Sequence, residues 1–278
     1  MSGRVGGLLR RWLKSAPEPV DAPPYPFIAH NIRLDDGRET KADVGATMDQ
    51  FPVFRAVVRM LKLVYPEGIE GKSIVDIGCL EGGYTVEFAR LGMVATGLDV
   101  RRSNIDTCLW VKDRCDLPNL QFVRDDAGNL DAHGPFDIVF MNGLLYHLDQ
   151  PRKMMESVAR QCRKAAFIHT HFTHAHRTQA VDDYHLSDPE ENEGLRGRWY
   201  RDHDPIDEAA LDRELRGSSW ANHRSFWLQK EELLRLIGEV GFALVLEQYD
   251  HLDAHIAWNM REGPYMQKDR SMFVGIKV

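Results

Sequence analysis

The chain has little cysteine, and no two cysteines stand close together. Its four, Cys79, Cys108, Cys115 and Cys162, are scattered over 278 residues without a C-x-x-C pair, which argues against a disulfide framework and for a reduced, cytoplasmic protein. Positive charge is also in deficit. With 35 Lys and Arg against 42 Asp and Glu the net charge is −7 and the pI about 5.9, so no broad electrostatic grip on nucleic acid is implied. The apolar stretch near the start is too short to span a bilayer, and no small-residue cleavage site follows it, so neither a transmembrane segment nor a signal peptide is expected. The glycine pattern G-x-G-x-x-G is missing too, which removes the usual cradle for a dinucleotide pyrophosphate.

What the chain does have is a nucleotide-shaped turn. At 43% hydrophobic and 28% charged it can bury one large core. Within that, the apolar run Ser73-Ile74-Val75-Asp76-Ile77 leads into Gly78-Cys79-Leu80-Glu81-Gly82-Gly83-Tyr84, a buried strand that ends in an acid and glycines before a helical pattern begins. Glycines at such a turn let the backbone approach a ligand closely, because no Cβ intervenes. A second strand, within Gly92 to Asp99, also ends in an acid, as expected where a ribose is held through its hydroxyls. Glu81 would place a buried negative charge near the loop, repelling phosphate and suiting a cationic or ammonium-bearing ligand.

The spacing Asp76-x-Gly78-x-x-x-Gly82 resembles the first motif of the class I S-adenosylmethionine-dependent methyltransferases, although Leu80 stands where a middle glycine is frequent. The likeness continues in order. Phe122-Val123-Arg124-Asp125-Asp126-Ala127 resembles the third strand with its adenine-contacting acid, and Phe136 to Leu148 resembles the fourth strand and the loop facing the transferred methyl. Ala165 to Phe172 supplies a fifth strand. The resemblance implies an α/β fold: a doubly wound, mostly parallel, seven-stranded Rossmann-like sheet with a lid inserted after strand 5. It further implies that S-adenosylmethionine is the cofactor and that Asp76, Gly78, Cys79, Gly82, Asp99, Asp126, Ala127 and Asn142 hold it.

Residues 1–44 are expected to form an N-terminal appendage and 45–278 the methyltransferase domain. Val5, Leu8, Leu9, Trp12 and Leu13 recur at helical spacing among Arg4, Arg10, Arg11 and Lys14. This predicts a short basic amphipathic helix over 1–16 that docks on the domain or makes weak contact with an anionic membrane surface, which would make the protein peripheral at the inner membrane. A proline-rich linker follows over 17–26, and Asp35-Asp36-Gly37 signals a small hairpin. Met48 to Tyr65 has the spacing of a helix packed on the sheet. From Thr173 to about Ser225 no strand pattern is visible, but Trp199, Tyr200 and Trp220 argue for an ordered, partly helical lid, inserted over approximately 173–226. A helix over Leu228 to Val240, ended by Gly241, precedes strands at Ala243 to Tyr249 and Ser271 to Val278.

Two groups of histidines are candidates for the chemistry. Methyl transfer from a sulfonium needs alignment and, for a hydroxyl nucleophile, a base near neutral pKa. His147, in the loop after the fourth strand, is the first candidate; it is equally suited to cap the following helix. Family resemblance places a Tyr-His pair here, Tyr146 and His147. His169 and His171 share one face of the fifth strand, with His174 and His176 beyond its end. His171 is the candidate base of this group, with packing inside the pocket, or a divalent-metal site joined by Asp182, Asp183 or His185, as other readings. Asn222, His223, Arg224 and Trp227 could line the acceptor pocket or anchor the lid. The Arg196, Arg198 and Arg201 cluster could meet an acceptor's phosphate or carboxylate, or be solvated surface.

The whole chain resembles uncharacterised bacterial methyltransferases associated with glycan and secondary metabolism, which implies a small or carrier-linked acceptor. Leu144-Leu145-Tyr146-His147 and Ser225-Phe226-Trp227 also resemble the tRNA wobble-uridine carboxymethyl transferases. A non-catalytic, cofactor-binding relative is the third reading.

Overall fold

The computed structural model describes residues 21–175, 184–252 and 269–278. The basic segment 1–16, its continuation to residue 20, His176, Asp182 and Asp183 lie outside the described residues. Alternation along the strands explains the layering of the fold. In β1 (Ser73–Ile77), Ile74 faces one core while Val75 and Ile77 face the other. The first core also takes α1 (Pro52–Val64), through Phe54, Val57 and Leu61, and the almost wholly buried α2 (Gly83–Arg90). Phe27, Ile32 and Leu34 join this same core.

The chain then alternates: β2 (Val94–Asp99), α3 (Arg102–Lys112), β3 (Leu120–Arg124), β4 (Phe136–Asn142), α4 (Pro151–Gln161) and β5 (Cys162–His171). Strand and helix alternation of this kind puts helices on both faces of a parallel sheet. After the insertion come α6 (Lys230–Glu239), β9 (Leu244–Gln248) and β10 (Arg270–Ile276). The seven strands lie in the order β3-β2-β1-β4-β5-β10-β9, with β10 antiparallel to both neighbours. The order reverses direction between β1 and β4, the switch point at whose carboxyl edge such sheets bind ligands.

The insertion differs from its expected form. Where no strand was predicted, β6 (Glu190–Asn192) and β7 (Leu195–Arg201) pair with each other and with β8 (Arg224–Leu228) in an antiparallel sheet, and the helical part is the short α5 (Glu208–Glu214). Arginines and a glycine hide the alternation of β7. Gly197 is there because of packing: a Cβ would stand 2.3 Å from the Trp227 carbonyl and 2.6 Å from the Phe226 ring. Near the N-terminus, the expected hairpin at Asp35-Asp36-Gly37 is reduced to one bridge, Arg33 to Glu39. Backbone bonds flank that bridge, Leu34 N donating to the Arg38 carbonyl at 2.8 Å and Thr40 N to the Ile32 carbonyl at 3.0 Å. Side chains add to them, since Asn31 Oδ1 accepts from Lys41 N and Thr40 Oγ1 accepts from Ile32 N. No helix among the described residues is long and apolar enough to cross a membrane.

Candidate functional site

The β1–α2 turn is built by left-handed backbone. Gly78 has φ +73° and Gly82 φ +75°, and at Gly82 a Cβ would lie 2.6 Å from the Phe122 ring, so only glycine fits there. Leu80 also adopts φ +53°, a conformation that costs a non-glycine residue on the order of 1–2 kcal/mol. The loop thus keeps its tight turn without the middle glycine, and one bond helps to hold it: Leu80 N donates to Asp99 Oδ2 at 3.0 Å.

Asp99 ends β2 with its carboxylate almost buried. Its other oxygen accepts from Arg101 N at 2.9 Å and Asn104 Nδ2 at 3.1 Å. Burial raises its pKa, and these donors with the Arg101 charge only partly offset that. Asp126 caps the turn after β3, accepting from Gly128 N at 2.7 Å. A cleft of about 270 Å³ connects these acids, lined by Gly78, Asp99, Asp126, Ala127, His147 and Asn222 among others. Asp76 lies beneath it, wholly inside, accepting from Thr85 Oγ1 at 2.7 Å and pushed up to about 7 by burial.

His147 stands in the same cleft, in the turn after β4. Its Nδ1 lies 2.8 Å from Oδ2 and 3.0 Å from Oδ1 of Asp202, at the end of the insertion's β7. Asp202 is nearly inaccessible, and burial alone would raise its pKa; the hydrogen bonds from His147, Ser219 N and Ser225 Oγ outweigh burial and hold it below the usual carboxylate range. Because a carboxylate only accepts, a proton sits on His147 Nδ1, and in the neutral imidazole the lone pair is then on Nε2. Sequence reasoning singled out His147 but not Asp202, which is one acid among many in the insertion.

A family model described as a methyltransferase domain matches residues 50–247. The chain belongs to that family. It is a class I, S-adenosylmethionine-dependent methyltransferase domain, and the cleft suits that cofactor: glycine backbone at Gly78, a ribose-type acid at Asp99, and Asp126 with small Ala127 and Gly128 for an adenine. Among relatives, it is 25% identical over 151 residues to a ubiquinone biosynthesis O-methyltransferase of Cronobacter sakazakii, covering 51% of this chain and 62% of that one. The same enzyme of Proteus mirabilis is 25% identical over 104 residues, 37% of this chain and 42% of its own. The matches thus span less than two thirds of either relative. Among solved structures, the N-terminal domain of EvdMO1 with SAH bound superimposes with a TM-score of 0.62 at 19% identity, covering 92% of both chains. The same domain in the presence of SAH and D-fucose gives 0.58 at 21% identity, covering 82% and 84%. Both show a shared fold.

The methyltransferase distributes its other candidate residues unevenly. Cys79 turns its side chain away from the cleft, into a cluster with Ile105, Cys108 and Phe122, where burial pushes the thiol's pKa up. Asn142 accepts from His169 Nδ1 at 2.6 Å, taking the ring nitrogen to be the protonated partner. His171 stacks on Trp227 with ring centres 4.7 Å apart and packs edge-on to Tyr146 at 4.6 Å. Burial, with Arg270 and His147 nearby, holds His171 down to about 3, so at neutral pH it is an uncharged packing group. Among the described residues, no cluster of three or more His, Cys, Asp or Glu is arranged to hold a metal.

Trp227 anchors the insertion rather than the cleft, donating from Nε1 to the Tyr146 carbonyl at 2.9 Å. Asn222 does the same for the turn after β4, donating to the His147 carbonyl at 3.0 Å. His223 and Arg224 are exposed, with Arg224 lying over the outer face of Trp199. Of the basic cluster, Arg196 faces Glu232, Arg198 donates to the Ser187 carbonyl and Arg201 pairs with Asp204, so those charges are met locally.

Glu81 departs most from expectation. Fully buried, it turns from the cleft to accept backbone N–H groups of Ile28, Ala29 and His30, with Arg216 Nη2 at 3.7 Å. Its charge fastens the N-terminal strap. Arg101 has a comparable role that the sequence pattern did not signal. It donates to the carbonyls of Ser218 and Ser219 at 2.8 Å each, and its guanidinium lies 5.1 Å from the centre of the Trp220 ring. Ser218 to Asn222 thereby form one wall of the cleft.

Proposed function

We propose that the methyltransferase methylates an oxygen of a small or carrier-linked acceptor of the sugar or secondary-metabolite kind, with His147 as general base. The single observation that carries this reading is the bond between His147 Nδ1 and the buried Asp202 carboxylate. When bound, S-adenosylmethionine supplies the electrophilic methyl on its sulfonium. The residues do the rest. Asp202 fixes the imidazole's tautomer and angle, and Nε2 receives the proton of the acceptor hydroxyl as its oxygen becomes the nucleophile. The carboxylate then stabilises the imidazolium that forms, as a buried negative charge does for an adjacent cation. Asp99 and Asp126 hold the adenosyl end, and the wall of Ser218 to Asn222 limits water.

Two likenesses support oxygen as the target and a sugar-like acceptor: the relatives above are named O-methyltransferases, and the EvdMO1 domain was solved in the presence of D-fucose. The test measures SAH release from parent and His147→Asn protein across a panel of hydroxylated sugars and glycosides, from pH 6 to 9. Turnover by the parent with at least one acceptor, and a loss of about a hundredfold or more in the variant at unchanged SAH affinity, is the expected result for a general base. Equal rates in both proteins at every pH would remove His147 from that role.

A further inference from the structure

We propose that Arg270 anchors an oxyanion, a carboxylate or phosphate, carried by the methyl acceptor. The inference rests on the O-methylation reading and names the acceptor's charge. Buried and half-buried arginines elsewhere are satisfied by the protein: Arg101 by carbonyls, and Arg216 by the Pro26 carbonyl, Asn104 and Glu81. Arg270 differs. Its Nε is buried without a hydrogen-bond partner, and its guanidinium rests over the Tyr146 ring at 5.4 Å; no ion pair with a carboxylate meets it among the described residues. An unpartnered buried donor on a charged group is costly, and the cost is recovered when an anion arrives.

No carboxylate among the described residues closes an ion pair with that charge, although Asp202 and Asp269 act at longer range on its neighbours Tyr146 and His171. Arg270 acts electrostatically on Tyr84, Tyr146, His169, His171 and His251. Burial raises the two phenols and lowers the three imidazoles, so all five are neutral near pH 7. The adjacent Asp269 has its Oδ1 3.2 Å from His174 Nε2, and its charge also acts on His171. His171 Nδ1, also buried and without a partner, adds a second polar atom to the chamber. A glycine keeps the approach open, since a Cβ at Gly143 would lie 3.3 Å from Arg270 Nη2.

Position assigns the anion to the acceptor. Arg270 begins β10 and pairs with His171 at the end of β5, whereas Asp99 and Asp126 follow β2 and β3 on the other side of β1 and β4. Tyr146 stands between base and anchor, its ring 4.2 Å from His147 and 5.4 Å from Arg270. An acid with a hydroxyl a few bonds away would span the two.

The experiment is ligand-observed NMR on the full chain with saturating SAH, using glucuronate, glucose and inorganic phosphate as probes. It needs no turnover, so it stands or falls separately from the base assignment. Glucuronate and phosphate should bind the parent saturably, glucose at least about tenfold more weakly, as expected for charge-assisted recognition. Arg270→Met should abolish the anion binding and Arg270→Lys retain part of it, with SAH affinity within about twofold of the parent in both, the folded-state control. Any of these results would overturn the proposal: no anion binding by the parent, equal binding of glucose and glucuronate, undiminished glucuronate binding in folded Arg270→Met, or a variant that loses SAH affinity while keeping that for methylthioadenosine. The last assigns Arg270 to the cofactor's own carboxylate, and so does a parent preference for carboxylated S-adenosylmethionine that the variant loses.

Discussion

His147 Nδ1 and Asp202 Oδ2 lie 2.8 Å apart although 55 residues separate them in the chain. One residue lies in the turn after β4 of the Rossmann-like sheet and the other directly after β7 of the inserted one, so the pair exists only when the insertion is docked. Asp202→Asn tests the dependence. The amide can donate to Nδ1 and favour the wrong tautomer, taking the lone pair away from Nε2. Turnover is expected to fall by about a hundredfold or more, the usual scale for losing a general base, with SAH affinity changed less than about threefold. Steady-state rates beside calorimetric titration give both numbers, and parental turnover in the variant would mean that Asp202 only braces the insertion.

Asp99 serves the loop as well as its proposed place in the cofactor site, since its carboxylate holds Leu80 N, Arg101 N and Asn104. Asp99→Asn keeps the shape while removing the charge and half the acceptors. Affinity for SAH should drop by about ten- to a hundredfold, from the loss of hydrogen bonds worth about 1.5–3 kcal/mol to a charged group. Unchanged affinity in calorimetry would take Asp99 out of the cofactor site.

Arg101 closes the wall over the cleft through the Ser218 and Ser219 carbonyls. In Arg101→Ala the Ser218 carbonyl loses its Arg101 donor, the Ser219 carbonyl keeps only the longer bond from Ser218 Oγ, and Trp220 loses its cation. Local opening of the wall should become easier by about 1–3 kcal/mol, the cost of leaving such groups unsatisfied, and limited proteolysis between residues 202 and 222 should accelerate at least about tenfold. A cleavage rate equal to the parent's would show that the wall is held elsewhere.

Acid should destabilise the protein through its buried histidines. His171 is held at about 3 and His30 at about 4, both mainly by burial, against roughly 6.5 in an unfolded chain. Below about pH 6.5 the unfolded state takes up protons that the folded state refuses. The stability these groups allow is therefore complete above that pH and declines as pH falls toward the folded values. His171→Phe preserves the stack on Trp227 and removes one titration, worth at most about 1.4 kcal/mol per pH unit. Denaturant melts at pH 7 and pH 5 should show a smaller acid loss in the variant, and identical losses would contradict the assignment.

Much of this site is local in the chain and therefore legible in it. A strand ending in Asp76 and turning at Gly78 and Gly82, and a second ending in Asp99, declare themselves because strand alternation and glycine's left-handed backbone act over a few residues. β6 and β7 were not legible, since Arg196, Arg198 and Gly197 break the hydrophobic alternation that packing against Phe226 and Trp227 makes unnecessary.

From the order of residues alone follow the class of fold, the cofactor's class and two of the acids that line the cleft, Asp99 and Asp126, together with His147 as a candidate base. Tertiary structure decided which acid orients His147, that Glu81 turns away from the cleft to bind the N-terminal strap, that His171 packs uncharged against Trp227, and that Arg270 Nε is buried with no hydrogen-bond partner among the described residues. The reason is physical. Backbone preferences and periodicity are set by near neighbours, whereas the charge, tautomer and accessibility of a side chain depend on groups brought to it from distant parts of the chain, and burial strengthens or penalises each of them according to the company it finds there.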